Sequence, residues 1–430
     1  MRAAIHTLGC RLNQAESALI ADQLIAAGHD IVPFDAPADL GIVHTCTVTR
    51  EADAKSRKAL RQFIRRNPHA FTVVIGCYAQ LSAAGIADIP GVDLIIGNSE
   101  KMKVLDYVAA AKRERPLVIR EKIARDAFTV DFADADAAPV QRRVNLKIQD
   151  GCDAMCSFCI VPFARGRSRS RDLENLLAEA RALVQRGAKE LVLTGVNTAS
   201  YACNGMTLYD VVARLGEIPG LRRIRISSIE PAAAPEGLLQ FMRDPAHPLM
   251  PFLHVPLQSG SDRILQAMRR PYGREMFLDL LRRAADAVPG IGIGCDIMVG
   301  FPGETDEDFE ASCQTFLESP AFYAHIFKYS ERDGTAAARI PCKVAPKTAA
   351  ARSTRLHQLS AEKTRAFQAE HLGRAMPVLF ESCDNGLWTG YTENYLRVAA
   401  PSDIPLENKI RRVNLLNIKE GAILGVMAEQ

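Results

Sequence analysis

The sequence predicts an α/β protein with three structural units. In residues 1–112 and 144–374, short apolar runs alternate with segments whose apolar residues recur at helical spacing, which is typical of parallel sheets covered by helices. Residues 376–430 show short strands separated by turn residues, which indicates a small all-β barrel. We therefore expect a doubly wound parallel sheet, a linker over 113–143, a partial, open (β/α)6 barrel and a small β-barrel.

Composition favours a soluble protein of the reducing cytoplasm. The 430 residues are 48% hydrophobic and 24% charged, and no apolar stretch is long enough to cross a membrane. Eleven cysteines without a recognisable export signal indicate thiols kept for metal binding or catalysis rather than disulfides. The net charge of +3 is too small to indicate nucleic-acid binding by itself.

In the first unit, three predicted strands are each followed directly by a cysteine. The strands cover residues 3–9, 41–45 and 71–76, and they precede Cys10, Cys46 and Cys77. A fourth strand is expected near 94–97, and helices are expected over 13–27 and 51–66. Because ligands gather at the carboxyl ends of parallel strands, the three thiols are expected at one sheet edge, where they could hold a cluster. Three unrelated buried cysteines are the alternative.

A second cysteine group opens the barrel region. Cys152, Cys156 and Cys159 are separated by three and then two residues, so their thiolates can converge only on something compact. Three ligands on a four-iron cluster would leave one iron open to another ligand. Zinc is the alternative, but no histidine lies within twenty residues of the group.

The barrel strands end in polar or glycine-rich segments that suit a small-molecule pocket. The barrel strands are expected near 144–149, 190–194, 222–228, 252–255, 292–299 and 322–329. Active sites of such barrels lie at the carboxyl ends of the strands. The polar segments are 194–197, 227–231, 254–261 and 296–305. Ordinary loop composition would look similar, so the single residues remain open.

Both cysteine groups resemble motifs of one family. Residues 151–159, including Phe158, resemble the signature of radical S-adenosylmethionine (SAM) enzymes, and 7–17, 44–49 and 76–80 resemble the three cysteine motifs of the methylthiotransferases. The resemblance implies two [4Fe–4S] clusters, one on Cys152, Cys156 and Cys159 with SAM, and an auxiliary one on Cys10, Cys46 and Cys77. It also implies SAM contacts, which we place at Phe158, Gly195, Ser228 and Glu230.

Three further regions are candidates for contact with RNA. Arg165, Arg167, Arg169 and Arg171 form a segment that resembles the branch of the family acting on threonylcarbamoyladenosine in tRNA, although a solvated loop is the alternative. The basic helix over 51–66 is either a solvated face or a phosphate-contacting surface. The tail resembles the RNA-binding TRAM domain, in which Trp388 and Tyr391 would stack on bases or else fill the small barrel.

The resemblance implies a transferase that inserts sulfur and a methyl group at C2 of N6-threonylcarbamoyladenosine 37 of tRNA. In the family, an electron from the first cluster cleaves SAM, the resulting radical activates the C–H bond, and the auxiliary cluster supplies sulfur. The expected partners are tRNA and an electron donor such as flavodoxin or ferredoxin, and no membrane. Isopentenyladenosine 37 and an aspartate of a ribosomal protein remain alternative targets. A non-catalytic iron–sulfur RNA-binding protein is the alternative of another class.

Overall fold

The computed structural model describes residues 1–108, 112–140, 143–234 and 237–428. Its first unit is a six-stranded, fully parallel sheet with the order β2-β1-β3-β4-β5-β6. The strands are β1 (Arg2–Thr7), β2 (Asp30–Val32), β3 (Leu40–Thr45), β4 (Phe71–Gly76), β5 (Leu94–Ile96) and β6 (Leu117–Ile119). The helices are α1 (Arg11–Ala26), α2 (Arg50–Arg66), α3 (Cys77–Leu81) and α4 (Ala83–Ala87).

The strand order confirms a doubly wound sheet and locates its crevice. β2 and β3 lie on opposite sides of β1, so the chain reverses its winding direction there. Helix α1 packs on one face through Ile20 and Leu24, and α2 packs on the other through Leu60. Ligand sites of such folds lie at the carboxyl ends of the strands where the winding reverses, which here are β1 and β3.

The sheet extends beyond the predicted boundary at residue 112. Strand β6 lies inside the segment expected to be a linker and pairs with β5 from Leu94↔Leu117 to Ile96↔Ile119. Leu117 and Val118 are exposed, because β6 is an edge strand. Later in the same segment, Phe128 forms a bridge with Arg171, so this stretch also packs against the second unit.

The second unit is the expected open barrel. Its strands are β7 (Val144–Lys147), β8 (Gln149–Asp150), β9 (Arg169–Ser170), β10 (Glu190–Thr194), β11 (Ala202–Cys203), β12 (Met206–Thr207), β13 (Arg223–Ile226), β14 (Phe252–Gln258), β15 (Gly292–Val299) and β16 (Tyr323–Lys328). Its helices are α5 (Val161–Arg165), α6 (Leu173–Gln185), α7 (Leu208–Gly216), α8 (Leu238–Arg243), α9 (Asp262–Ala267), α10 (Arg274–Ala287), α11 (Asp306–Glu318) and α12 (Pro346–Ala369).

Six strands of this unit form one curved wall. β13-β10-β7 and β14-β15-β16 are parallel sheets, and they are joined by a bond from Ile229 N to the His254 carbonyl (2.9 Å). The face toward the helices is apolar, with Leu253, Val255 and Leu257 in the main core. Successive side chains of a strand point to opposite faces, so His254 points into the barrel. Helix α1 of the first unit lies against β7 at the open side.

The third unit confirms the expected small β-barrel. Five strands close in the order β17-β18-β19-β21-β20 around a core that includes Val378, Phe380 and Val413. The strands are β17 (Ala375–Asp384), β18 (Leu387–Thr392), β19 (Arg397–Pro401), β20 (Ile410–Lys419) and β21 (Ala422–Met427). Strand β20 was not expected, because its arginines and asparagines mask the apolar alternation.

The small barrel covers the N-terminal end of the open barrel. Arg223 donates to the carbonyls of Pro377 (2.9 Å) and Tyr391 (3.0 Å), and Arg225 donates to those of Glu393 (2.8 Å) and Thr392 (2.7 Å). A side chain at Gly292 would meet the Asn394 carbonyl oxygen at 2.0 Å, so glycine permits the close approach. Across the described parts of the chain, no helix is both long and apolar enough to span a membrane.

Candidate functional site

The first cysteine group lies where the doubly wound sheet predicts a ligand. Cys10 precedes α1 directly, Cys46 follows β3, and Cys77 begins α3 immediately after β4. Burial, with smaller contributions from the neighbouring thiols of Cys77 and Cys10, raises the pKa of the Cys46 thiol to about 11. We call Cys10, Cys46 and Cys77 the sheet triad.

Close packing of the backbone brings this triad together. Gly9 has a φ of +96°, and a side chain there would lie 2.6 Å from Cβ of Cys46, so glycine permits the approach. Asn98 Nδ2 lies 3.6 Å from the sulfur of Cys77 and is positioned to donate to it. Hydrogen-bond donors and cations beside a thiolate stabilise its charged form, which is the form that binds metals.

The second cysteine group occupies a single loop at the carboxyl end of the open barrel. Cys159 N donates to the Cys156 carbonyl (3.0 Å), which folds the loop back on itself. Burial raises the pKa of Cys159 to about 12, with further contributions from the thiols of Cys156 and Cys152. The Cys156 sulfur accepts a bond of 3.0 Å from Arg270, whose guanidinium also pairs with Glu230. We call Cys152, Cys156 and Cys159 the loop triad.

Neither cysteine triad forms a compact single-ion site in the described residues. In the described residues, only His254, Asp296 and His325 form a group of three ligands whose donor atoms all lie within 4.8 Å of one another. Neither cysteine triad is that compact. Four thiolates around zinc would stand about 3.8 Å apart, because each Zn–S bond is about 2.3 Å. Both triads consist of free thiols only, which is the ligand type that holds [4Fe–4S] clusters.

A buried ionic network connects the two triads. Glu16, on α1 just after Cys10, accepts bonds from Lys101 (2.6 Å), Lys147 (2.6 Å) and Arg165 (3.0 Å), and all four side chains are buried. Arg165, which follows the loop triad on α5, also bonds Asp150 at 2.9 Å. Helix α1 and the cysteine loop are thus held in one arrangement. We call these five residues the Glu16 network.

The charges of this network favour anionic clusters beside it. Burial alone would raise the pKa of Glu16, but Arg165, Lys101 and Lys147 hold it well below its usual range. Burial lowers the pKa of Lys101 to about 8. Three cations face two carboxylates, and the positive Arg165 lies close enough to Cys10 and Cys77 for their charges to act on it. A thiolate-bound cluster at the sheet triad would supply the missing negative charge.

The predicted SAM contacts lie at the same end of the open barrel. A side chain on Gly195 would meet Gln149, whose Oε1 accepts from the amides of Val196 and Asn197 (both 2.9 Å). Glu230 pairs with Arg270, and the Ser228 carbonyl accepts a bond from Thr198. The ring of Phe158 is half-buried against a small core beneath the loop. These contacts position the residues beside the loop triad, and their role toward SAM stays a proposal.

The arginine segment is less exposed than its composition suggests. Arg165 belongs to the Glu16 network, and Arg171 is fully buried, bonded to Glu179 and to Asn175 Oδ1 (2.8 Å). Arg169 is mostly buried, while Arg167 keeps 48% of its side chain exposed. Arg165 and Arg171 therefore fit neither an RNA contact nor a solvated loop, because buried carboxylates and amides hold them in the interior. The proposed RNA contact of this segment therefore rests on Arg167.

The aromatic residues of the tail are also used within the protein. Tyr391 stacks on Tyr395 with ring centres 4.7 Å apart, and the Arg143 guanidinium lies 4.8 Å from the Tyr391 ring centre. Trp388 is half-buried against the core of the small barrel. Both rings thus make contacts within the protein, as the alternative of a filled small barrel predicts, and stacking on RNA bases stays a prediction.

Two exposed apolar side chains beside the triads were not foreseen. Phe163 follows the loop triad on α5 and is 47% exposed, and Val48 follows Cys46 and is 50% exposed. Single exposed apolar residues are common on protein surfaces, so what sets these two apart is their position in sequence next to the cysteines. A clearer sequence signal existed for Phe163, since an aromatic residue stands four positions after the last cysteine of the loop.

Two family models match the chain. Residues 146–316 match the radical SAM superfamily, and residues 2–97 match the family described as uncharacterized protein family UPF0004. Among solved structures, the radical SAM methyltransferase TsrM from Kitasatospora setae has a TM-score of 0.53 at 15% identity, covering 76% of this chain and 74% of that one. This likeness concerns the fold alone.

Curated relatives match nearly the whole chain. The protein named threonylcarbamoyladenosine tRNA methylthiotransferase MtaB from Bacillus subtilis is 36% identical, covering 99% of this chain and 97% of the relative. Its namesake from Aquifex aeolicus is 36% identical, covering 93% and 96%. A protein from Cereibacter sphaeroides named tRNA-2-methylthio-N(6)-dimethylallyladenosine synthase is 36% identical, covering 88% and 86%.

Proposed function

This chain belongs to the radical SAM methylthiotransferase family, and we propose that it adds a methylthio group at C2 of N6-threonylcarbamoyladenosine 37 in tRNA. The observation that carries the proposal is the presence of two thiol triads joined by the Glu16 network. One triad suffices to cleave SAM, but sulfur insertion calls for a second inorganic centre. The relatives from Bacillus subtilis and Aquifex aeolicus bear the name of the same substrate.

The chain uses S-adenosyl-L-methionine and two [4Fe–4S] clusters, for which the two triads are the proposed protein ligands. When bound, these groups supply reductive cleavage of SAM, activation of an inert C–H bond, and the sulfur that is inserted. Cys152, Cys156 and Cys159 would hold the first cluster, and Cys10, Cys46 and Cys77 would hold the second.

The surrounding residues position these groups and keep water away. Arg270 donates to the Cys156 sulfur and so stabilises the anionic form of that ligand. The Thr392–Tyr395 segment covers the opposite end of the open barrel, and α1 covers its open side. Reactive species at the end of the barrel that carries the cysteines are therefore shielded from solvent at its N-terminal end and at its open side.

The target base needs an apolar contact near both triads. Phe163 and Val48 are the exposed apolar groups on the two cysteine-bearing edges. A ring such as Phe163 can stack on an adenine, and such stacking is worth about 1–3 kcal/mol per base. We expect Phe163→Ala to raise the KM for tRNA without changing the iron content.

Nucleoside mass spectrometry tests the substrate. Deletion of the gene should abolish methylthio-threonylcarbamoyladenosine in cellular tRNA, and the anaerobically reconstituted enzyme should restore it. The Cereibacter sphaeroides relative favours isopentenyladenosine as a second candidate, so loss of its methylthio derivative instead would transfer the assignment to that base. Unchanged tRNA in the deletion strain would refute both and direct attention to the ribosomal aspartate.

Catalysis itself is tested separately. The reconstituted protein should contain about eight irons per chain and form 5′-deoxyadenosine from SAM and dithionite. A non-catalytic RNA-binding protein would hold iron and RNA but form none. We further propose that the enzyme works in the cytoplasm with a small flavodoxin or ferredoxin as electron donor, which the abundance of free thiols supports. Purified flavodoxin or ferredoxin in its reduced form should support formation of 5′-deoxyadenosine in place of dithionite.

A further inference from the structure

Helix α2 presents a sharply two-sided surface. The side chains of Ser56, Leu60 and Phe63 are buried against the sheet. On the opposite side, Lys58, Arg61 and Arg65 are exposed and recur at three and four residues, so they form one row. We call these three residues the basic stripe.

The charge of the basic stripe is uncompensated. The acidic residues of α2 are Glu51, which pairs with Lys55 at 2.7 Å, and Asp53, which is buried against Arg332. Over the described parts of the chain, no carboxylate lies within ion-pair distance of the stripe. A helix that served only as a solvated face would normally carry charges of both signs.

The start of α2 is attached to the mouth of the open barrel. Thr49 caps the helix three residues after Cys46. Arg50 N donates to Ser330 Oγ (3.0 Å), and Arg332 donates to Asp53 (2.7 Å) and Thr47 (2.6 Å), so the loop after β16 is tied to the first turn. The stripe therefore leads away from the end of the barrel where both triads lie.

We propose that the basic stripe binds backbone phosphates of the tRNA whose target base occupies the site, an inference that rests on the proposed function. From Lys58 to Arg65 the helix rises about 10 Å, so the stripe is long enough to contact more than one phosphate along an RNA strand. Exposed Lys328, at the end of β16 near Glu51, extends the positive charge toward the barrel mouth. The stem would then lie along α2 while the anticodon loop enters the mouth.

The salt dependence of binding tests this inference. The triple variant K58A/R61A/R65A removes three phosphate contacts, and alanine preserves the helix. Its tRNA dissociation constant near 0.15 M salt should rise about tenfold or more. The slope of the log association constant against log salt concentration should become less negative by about two. Formation of 5′-deoxyadenosine with dithionite in the absence of RNA should stay within about twofold of wild type.

A matched control removes the same charge elsewhere. R181A/R222A/R243A lacks three exposed arginines of the barrel's outer layer, and its affinity and slope should match wild type. An unchanged slope in K58A/R61A/R65A would overturn the inference while leaving the proposed function intact. Unchanged RNA affinity with activity lost only when a protein electron donor replaces dithionite would assign the stripe to that donor. Wild-type protein that binds no tRNA would overturn the proposed function itself.

Discussion

The sheet triad and the loop triad build similar thiol groups by different routes. Cys152, Cys156 and Cys159 lie in one loop, so local chain folding brings them together. Cys10, Cys46 and Cys77 are brought together only when β1, β3 and β4 pair in register. The loop triad can therefore form from local chain folding alone, whereas the sheet triad forms only when the whole sheet of the first unit has folded. The Glu16 network then fixes one triad relative to the other.

Replacing one cysteine in each triad should separate their roles completely. Cys156→Ser is expected to abolish formation of 5′-deoxyadenosine, because the cluster that would bind SAM loses a ligand. Cys46→Ser is expected to keep that activity but stop thiomethylation. Each variant should retain about four irons per chain. The measurements are iron content, deoxyadenosine yield and nucleoside mass spectrometry. Full thiomethylation by Cys46→Ser would break the comparison.

Glu16→Gln should weaken the connection between the triads. Removing the anion leaves Lys101, Lys147 and Arg165 with Asp150 as their remaining carboxylate, and breaking a buried ion pair costs about 3–5 kcal/mol. Anaerobic urea unfolding of the iron-loaded protein measures this loss. Glu51→Gln, which breaks an exposed pair, is the control and should leave the urea midpoint unchanged.

The stability difference between wild type and Glu16→Gln should not change between pH 5 and pH 7. The pKa of Glu16 is held well below that of an unfolded glutamate, about 4.3, so its carboxylate stabilises the fold fully above that value. The stabilisation is lost only as pH falls through the lower folded pKa. Urea midpoints of both proteins at three pH values check this. A difference that shrinks between pH 7 and pH 5 would contradict the assignment.

Arg270→Gln should affect the loop triad alone. The guanidinium donates to Cys156 and pairs with Glu230, and loss of such a partner of a metal ligand typically costs 10–100-fold. We expect deoxyadenosine formation to fall by about tenfold or more while the iron at the sheet triad stays bound. Electron paramagnetic resonance of each cluster, using Cys46→Ser as a background, reads the two sites separately. Equal changes in both signals would argue against a local role.

Tyr395→Phe should give the smallest effect. Its hydroxyl accepts a bond of 2.8 Å from Arg11, the residue after Cys10, whereas its ring packing would remain. The loss of one such hydrogen bond is expected to cost about 1–2 kcal/mol. Thermal unfolding measures it, and activity with dithionite should be unchanged. A large loss of iron from the sheet triad would show that the bond between Arg11 and Tyr395 is also needed to hold Cys10 in position.

Local patterns predicted the triads and most of the strands. The cysteine spacing and the strand–helix alternation are properties of short segments, so they can be read without tertiary information. Strand β6 was missed because three apolar residues among charged ones resemble a linker until β5 is present to pair with them. Strand β20 was missed because adjacent residues such as Arg411 and Arg412 are both exposed, which interrupts the apolar–polar alternation.

Burial of charged residues could not be read from the sequence. Arg165 and Arg171 stand in a segment with almost no apolar content, yet distant carboxylates make their burial favourable. Glu16 and Lys101 are 85 positions apart and meet only after the sheet forms. The role of α2 stayed open for the opposite reason. The run of positive residues alone does not separate a solvated face from a phosphate-binding face, whereas the structure shows that the acidic residues of α2 pair elsewhere and that its first turn is attached to the barrel mouth.

The segment from Thr392 to Tyr395 closes the N-terminal end of the open barrel, opposite the end at which the loop triad lies. Glu190 pairs with Arg223 and Arg225, and backbone carbonyls of the small barrel accept their remaining hydrogen bonds, so both buried guanidinium groups are satisfied only while the small barrel is present. A shortened protein that ends before residue 375 would therefore lose the cover of this end of the open barrel together with the small barrel. Solvent would then enter through the N-terminal end of the barrel. The expected sign is cleavage of SAM without formation of methylthiolated product.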